Sequence, residues 1–178
     1  MKVCYLGPYR PEYGRNRVII KGLIENGVEV IECNAYSSNR LLDYLKLLRK
    51  HLNLDYDAIM LGNRDIYCTQ ALVPFVKIMS RKPIVFDAIL TSYEAEVVDR
   101  KLAKKGSIEA ALWYFLDYNA LHAASLVLSD TDTHAKYYSY FYNVELNKFR
   151  RVLVGSDEEI FYPRVATKKN IHFFVLFC

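Results

Sequence analysis

The segment Gly7-Pro8-Tyr9-Arg10-Pro11-Glu12-Tyr13-Gly14 joins an apolar run to an amphipathic one, and Arg15, Asn16 and Arg17 follow at once. Where a strand turns into a helix, the first helical amides lack partners and the positive end of the helix dipole lies with them. Such a turn favours anions. Glycine lets the backbone come close to a phosphate. Arg10, Arg15 and Arg17 add positive charge, so the loop is a candidate site for an anionic ligand. The competing reading is an ordinary turn with a solvated basic rim. The spacing is not GxGxxG, and no Gly-Lys-Ser/Thr follows, so neither a dinucleotide fingerprint nor a P-loop is present. Glu32 stands where a ribose-binding acid would, but without the glycines an oxidoreductase is not indicated.

Asp87 ends an apolar run. A carboxylate there can orient a substrate hydroxyl or accept a proton, or it can bond the following loop. Asp130-Thr131-Asp132 has the spelling of a divalent-metal motif. It also opens a helical pattern, where Ser129 with Asp132 fits a capping box. Capping accounts for these residues, so no metal is expected, and His134 reads as a first-turn surface residue. Tyr137, Tyr138, Tyr140, Phe141 and Tyr142 recur at helical spacing, which suits packing better than stacking on a ligand. No Ser-His-Asp, Cys-His or HExxH arrangement is visible.

The elements that must position these residues alternate. Apolar runs at 3–6, 28–33, 58–62, 83–86, 126–128 and 151–154 read as six strands. Helical patterns lie between them: 18–24 stopped by Asn26-Gly27, about 40–52 with Ser37, Ser38 and Asn39 as N-cap candidates, 69–80, two patterns split at Gly106-Ser107, and 129–142. Short, continuously apolar strands separated by helices mean a parallel sheet covered on both faces, a Rossmann-like, doubly wound α/β domain. Ligands then bind beyond the carboxyl ends of the strands. Residues 1–163 form this domain. Residues 164–170 are polar and basic, like a linker. Residues 171–178 are nearly all apolar and read as the first strand of a second, truncated domain. Left exposed, such a strand leads to self-association.

A chain of 178 residues is one ordinary domain. Its 52% hydrophobic and 25% charged residues exclude a disordered or fibrous chain. The four cysteines are widely spaced and read as reduced thiols, and no signal peptide precedes the first strand, so a cytoplasmic location is expected. A net charge of +4 is too small to argue for nucleic acid. It suits small anionic ligands or a membrane surface. The basic helix at 40–52, with Lys46, Arg49, Lys50 and His51, reads first as a solvated face above a core stripe, and second as a surface that touches anionic lipid. Lys101, Lys104 and Lys105 are read in the same way.

Three segments give the chain a resemblance. Residues 2–30 run strand, Gly-bounded loop, helix and Glu25-Asn26-Gly27-Val28-Glu29-Val30. Ala123-Ala124-Ser125-Leu126-Val127-Leu128-Ser129 forms a later strand. Arg151-Val152-Leu153-Val154-Gly155-Ser156-Asp157-Glu158-Glu159-Ile160-Phe161-Tyr162-Pro163 closes the domain, with Gly155, Asp157, Phe161 and Pro163 the most specific positions. Together they resemble the N-terminal half of a GT-B glycosyltransferase of family 4, also called group 1. The resemblance implies a retaining enzyme that moves a sugar from a nucleotide-sugar donor to a sugar, lipid or polysaccharide-precursor acceptor without metal or cofactor. It implies donor-phosphate contacts at Gly7, Tyr9, Arg10, Gly14 and Asn16, and acceptor-side contacts at Asn63, Ser129, Gly155 and Asp157. Asp87 would be the catalytic group, standing where many members carry a histidine. The donor half would be a second domain, so residues 1–178 alone should not turn over. A peripheral contact with the inner membrane face fits a lipid acceptor. The alternative is a non-catalytic, flavodoxin-like module that uses the same crevice for a small anion or a protein partner.

Overall fold

A computed structural model of the chain describes residues 1–35, 40–62 and 69–162, the side chains of residues 40 and 41 excepted. Six parallel strands form one sheet in the order β2-β1-β3-β4-β5-β6. They are β1 (Lys2–Gly7), β2 (Glu29–Asn34), β3 (Ala58–Leu61), β4 (Ile84–Asp87), β5 (Leu126–Ser129) and β6 (Phe149–Arg151). The helices between them are α1 (Gly14–Glu25), α2 (Arg40–His51), α3 (Thr69–Ser80), α4 (Ile108–Ala123) and α5 (Asp132–Phe141). A π-helical turn at Glu94–Asp99 precedes α4. This is the Rossmann-like α/β class that the alternating pattern implies.

The handedness of the crossovers dictates where the helices go. The chain steps one way from β1 to β2, then returns across β1 and continues in the other direction. Right-handed connections then put α1 on one face and α2 to α5 on the other. The two cores follow this division. Cys4, Leu6, Ile59, Leu61, Ile84 and Val127 point toward α2–α5, where Leu47, Val73, Leu121 and Tyr138 meet them. Val3, Tyr5, Met60 and Leu128 point to the other face, toward Ile19, Ile20 and Leu23 of α1. With α1 alone there, a groove of about 600 Å³ remains beside it, lined by Val3, Met60, Val85, Leu128, Val152 and Val154 among others.

Local signals explain most boundaries. Gly27 takes a left-handed φ of 73° and ends α1, its amide reaching back to Ile24. Ser107 caps α4 through Ala110 N. Three expectations need correction. The sixth strand is Phe149–Arg151, because the buried ring of Phe149 opposite Val127 sets the register, and residues 152–154 run on past the sheet into the groove. The N-cap of α5 is Thr131, whose hydroxyl accepts from His134 N, so Ser129 is not the capping residue. His51 is buried rather than part of the basic face, since it lies one helical turn after Leu47 and shares its inward side. The cap candidates Ser37, Ser38 and Asn39, and residues 163–178 with the linker and apolar tail, lie outside the described residues. Among the described residues no helix is long and apolar enough to cross a membrane.

Candidate functional site

The carboxyl ends of the strands gather Gly7, Asn34, Gly62, Asp87 and Ser129. The change of direction in strand order falls between β1 and β3, the place where open α/β sheets bind ligands. Here the first loop folds inward over that point. Tyr9 is fully buried, its ring set edge-on to Tyr5 at 5.0 Å between centroids. Its hydroxyl donates to Glu32 Oε2 at 2.5 Å, and its carbonyl accepts from Asn34 Nδ2. Burial pushes both tyrosine hydroxyls above their usual pKa, and Glu32 pushes that of Tyr9 further. The packing depends on Gly62. A Cβ there would lie 2.6 Å from the Tyr9 ring and 2.7 Å from that of Tyr5.

α1 starts at Gly14 with Tyr13 as its N-cap residue, and no side chain caps it. Asn16 is fully buried. It accepts from Tyr5 Oη at 2.8 Å and donates to the carbonyl of Arg10, so it holds the loop against the sheet. Arg10 and Gly14 are exposed at the rim. Of the five loop residues singled out, the structure buries Gly7, Tyr9 and Asn16 and leaves Arg10 and Gly14 at the surface.

Asp87 has a partner that sequence reasoning missed. Arg15 Nε and one terminal nitrogen donate to its two carboxylate oxygens at 2.6 and 2.7 Å. Both side chains are at most 5% exposed. Burial works against the Arg15 charge, but the hydrogen bonds and charge of Asp87 outweigh it and raise the guanidinium pKa. The pair ties the start of α1 to the end of β4, a separation of 72 residues that no local spacing reveals.

The Asp130-Thr131-Asp132 triplet does not converge. Asp130 faces His134 Nδ1 at 2.6 Å, while Asp132 pairs with Arg151 at the surface. Among the described residues no three His, Cys, Asp or Glu side chains gather as a metal site. Ser129 is buried and donates to the Thr131 carbonyl. His134 stacks on Tyr138 with centroids 5.6 Å apart, and Tyr138 Oη donates to Glu94 Oε2. A hydrogen-bonded polar cluster thus sits at the end of β5, and the i,i+4 spacing of Asp130 and His134 was the signal for it. Of the rest of the aromatic run, Phe141 and Tyr142 pack on each other and on Tyr114, Tyr137 stacks on Phe141 at the surface, and Tyr140 is exposed.

Gly155 and Asp157 lie over α1 rather than in the crevice. A Cβ on Gly155 would come within 3.0 Å of Val18 Cγ1. Asp157 is buried and pairs with Arg17 at 2.6 Å. The Glu159 amide, then Arg17 and Lys21, hold its carboxyl below the usual range. Asn63 lies outside the described residues. The strand-end surface therefore holds the exposed Arg10 and the start of α1 at its rim, and a hydrogen-bonded carboxylate–imidazole pair at Asp130 and His134. It rests on side chains already bonded to one another. No family model matches the chain, and no curated protein matches it.

Proposed function

We propose that this chain is the acceptor-side domain of a retaining glycosyltransferase that moves a sugar from a nucleotide-sugar donor to an acceptor. The observation that carries the reading is the domain exit. The segment most specific to the resemblance, from Gly155 onward, is pinned on α1 by the Arg17–Asp157 pair and the close approach of Gly155 to Val18. It lies beside the helix whose start forms the rim. The rim at Arg10 and the amides of α1 suits a diphosphate leaving group that gains negative charge.

The engagement of Asp87 favours a second reading. Both of its oxygens are held by Arg15, which suits a non-catalytic module that binds a small anion at the same rim. The reading frame beyond Cys178 separates the two. A second α/β pattern with a Glu-x7-Glu motif, and release of nucleotide from a nucleotide-sugar by the full product, support the transferase. A stop codon at that point refutes it and leaves the binding module.

A further inference from the structure

The layer α2–α4 carries an outward surface that the strand-end site does not use. On α3, Phe75, Ile78 and Met79 follow i, i+3, i+4 spacing, and on α4 Ile108, Leu112 and Phe115 follow i, i+4, i+7. All six are exposed, Ile78 by 77%, Ile108 by 91% and Phe115 by 62%. The two helices pack against each other on one face of the sheet. Each helix thus buries one stripe and turns a second apolar stripe outward, which a helix in water alone does not need.

The charges around these stripes are mostly positive. Exposed Lys77, Arg81 and Lys82 lie on and just after α3, and exposed Lys101, Lys104 and Lys105 just before α4. The neighbouring α2 adds exposed Lys46, Arg49 and Lys50. Glu109 is the only exposed carboxylate on the three helices, and Asp99, at the end of the π-helical turn, is an exposed acid ahead of α4.

We infer that this face of the α2–α4 layer docks on a lipid surface bearing anionic headgroups. The apolar stripes of α3 and α4 enter the headgroup boundary, and the lysines and arginines meet the lipid phosphates. An apolar face ringed by cations has this complementarity, since neither contribution alone gives stable attachment. The inference does not rest on the transferase reading. Docking by this face also leaves the strand ends at the border of the membrane.

The test is sedimentation of the full chain with vesicles of phosphatidylcholine, and with vesicles that also contain phosphatidylglycerol. Binding to the anionic vesicles alone, weakened by salt, is expected. Lys101→Glu/Lys104→Glu/Lys105→Glu should lower the affinity at least ~100-fold. Ile78→Glu/Phe115→Glu should lower it at least ~10-fold. Phe173→Ser/Phe174→Ser, in the apolar tail, should bind as the parent does. All the substituted helix positions are exposed, and circular dichroism checks that the variants fold. Absence of binding by the parent chain overturns the inference. So does binding that only the tail variant abolishes. A dimer that Ile78→Glu/Phe115→Glu converts to monomer, without vesicle binding by the parent, would show a second copy covering this face and overturns it as well.

Discussion

Replacing Asp87 by alanine leaves the Arg15 guanidinium among buried groups with neither of its two charge-assisted hydrogen bonds. Its side chain is only 5% exposed, so water replaces the lost partner poorly. Breaking a buried pair in this way costs about 3–5 kcal/mol. Against a total stability of about 5–15 kcal/mol that is a large fraction. With a urea slope of about 2 kcal/mol/M, the unfolding midpoint should fall by about 2 M. Arg15→Met/Asp87→Leu removes both charges and keeps apolar volume, so its loss should be well below the sum of the single variants. A coupling energy of at least about 2 kcal/mol is expected from the cycle. Urea titrations of wild type, both single variants and the double variant measure it. An Asp87→Ala protein within about 0.5 kcal/mol of wild type would refute the reasoning. If a longer product of the reading frame shows the proposed transferase activity, the same residue separates two roles. Loss of kcat in Asp87→Asn with retained stability assigns it to the chemistry, whereas parallel loss of both assigns it to holding α1.

Three further outcomes follow from the same geometry. Burial pushes the Asp117 carboxyl up to about 6, although the amides of Tyr93 and Ser92 and the Tyr142 hydroxyl oppose it. The folded chain then holds a proton that the unfolded chain has released, so stability should fall as pH rises from about 4 to 6, by at most about 3 kcal/mol. Urea midpoints across that range should slope downward in wild type and lose this component in Asp117→Asn. Gly62→Ala puts a methyl against two buried rings and should cost about 1–3 kcal/mol, with a changed near-ultraviolet tyrosine signal. Thr131→Ala removes the cap of α5 and should cost about 1 kcal/mol in the same titration.

The fold was legible because each strand is a short apolar run and each crossover has its own stop. The bounds of α3 agree with the periodicity because Ser80 stands where the pattern ends. The sixth strand was harder. Only Phe149 of its three residues is buried, and the apolar residues that follow belong to the groove. Ser129 and Thr131 are both good caps, and only the direction of the chain after β5 decides between them. The site was legible as a place, since the strand ends follow from the order of elements. Its connections were not. Arg15 reaches Asp87 because β1, β3 and β4 are neighbours, and Tyr9 reaches Glu32 because β2 flanks β1. Hydropathy and spacing carry no trace of such contacts.

These connections bear on what the strand-end surface can do. Tyr9, Asn16, Asp87 and Ser129 all spend polar atoms on the protein itself: Asn16 and Arg15 fix the start of α1 to Tyr5 of β1 and Asp87 of β4, Tyr9 ties the loop to β2, and Ser129 holds the turn after β5. In the proposed transferase, a helix start held by such partners would meet an anion with little reorganisation, the condition for electrostatic stabilisation of a charged leaving group. Asp130 and His134 form a separate carboxylate–imidazole contact at the end of β5, apart from the Arg15–Asp87 pair that holds α1.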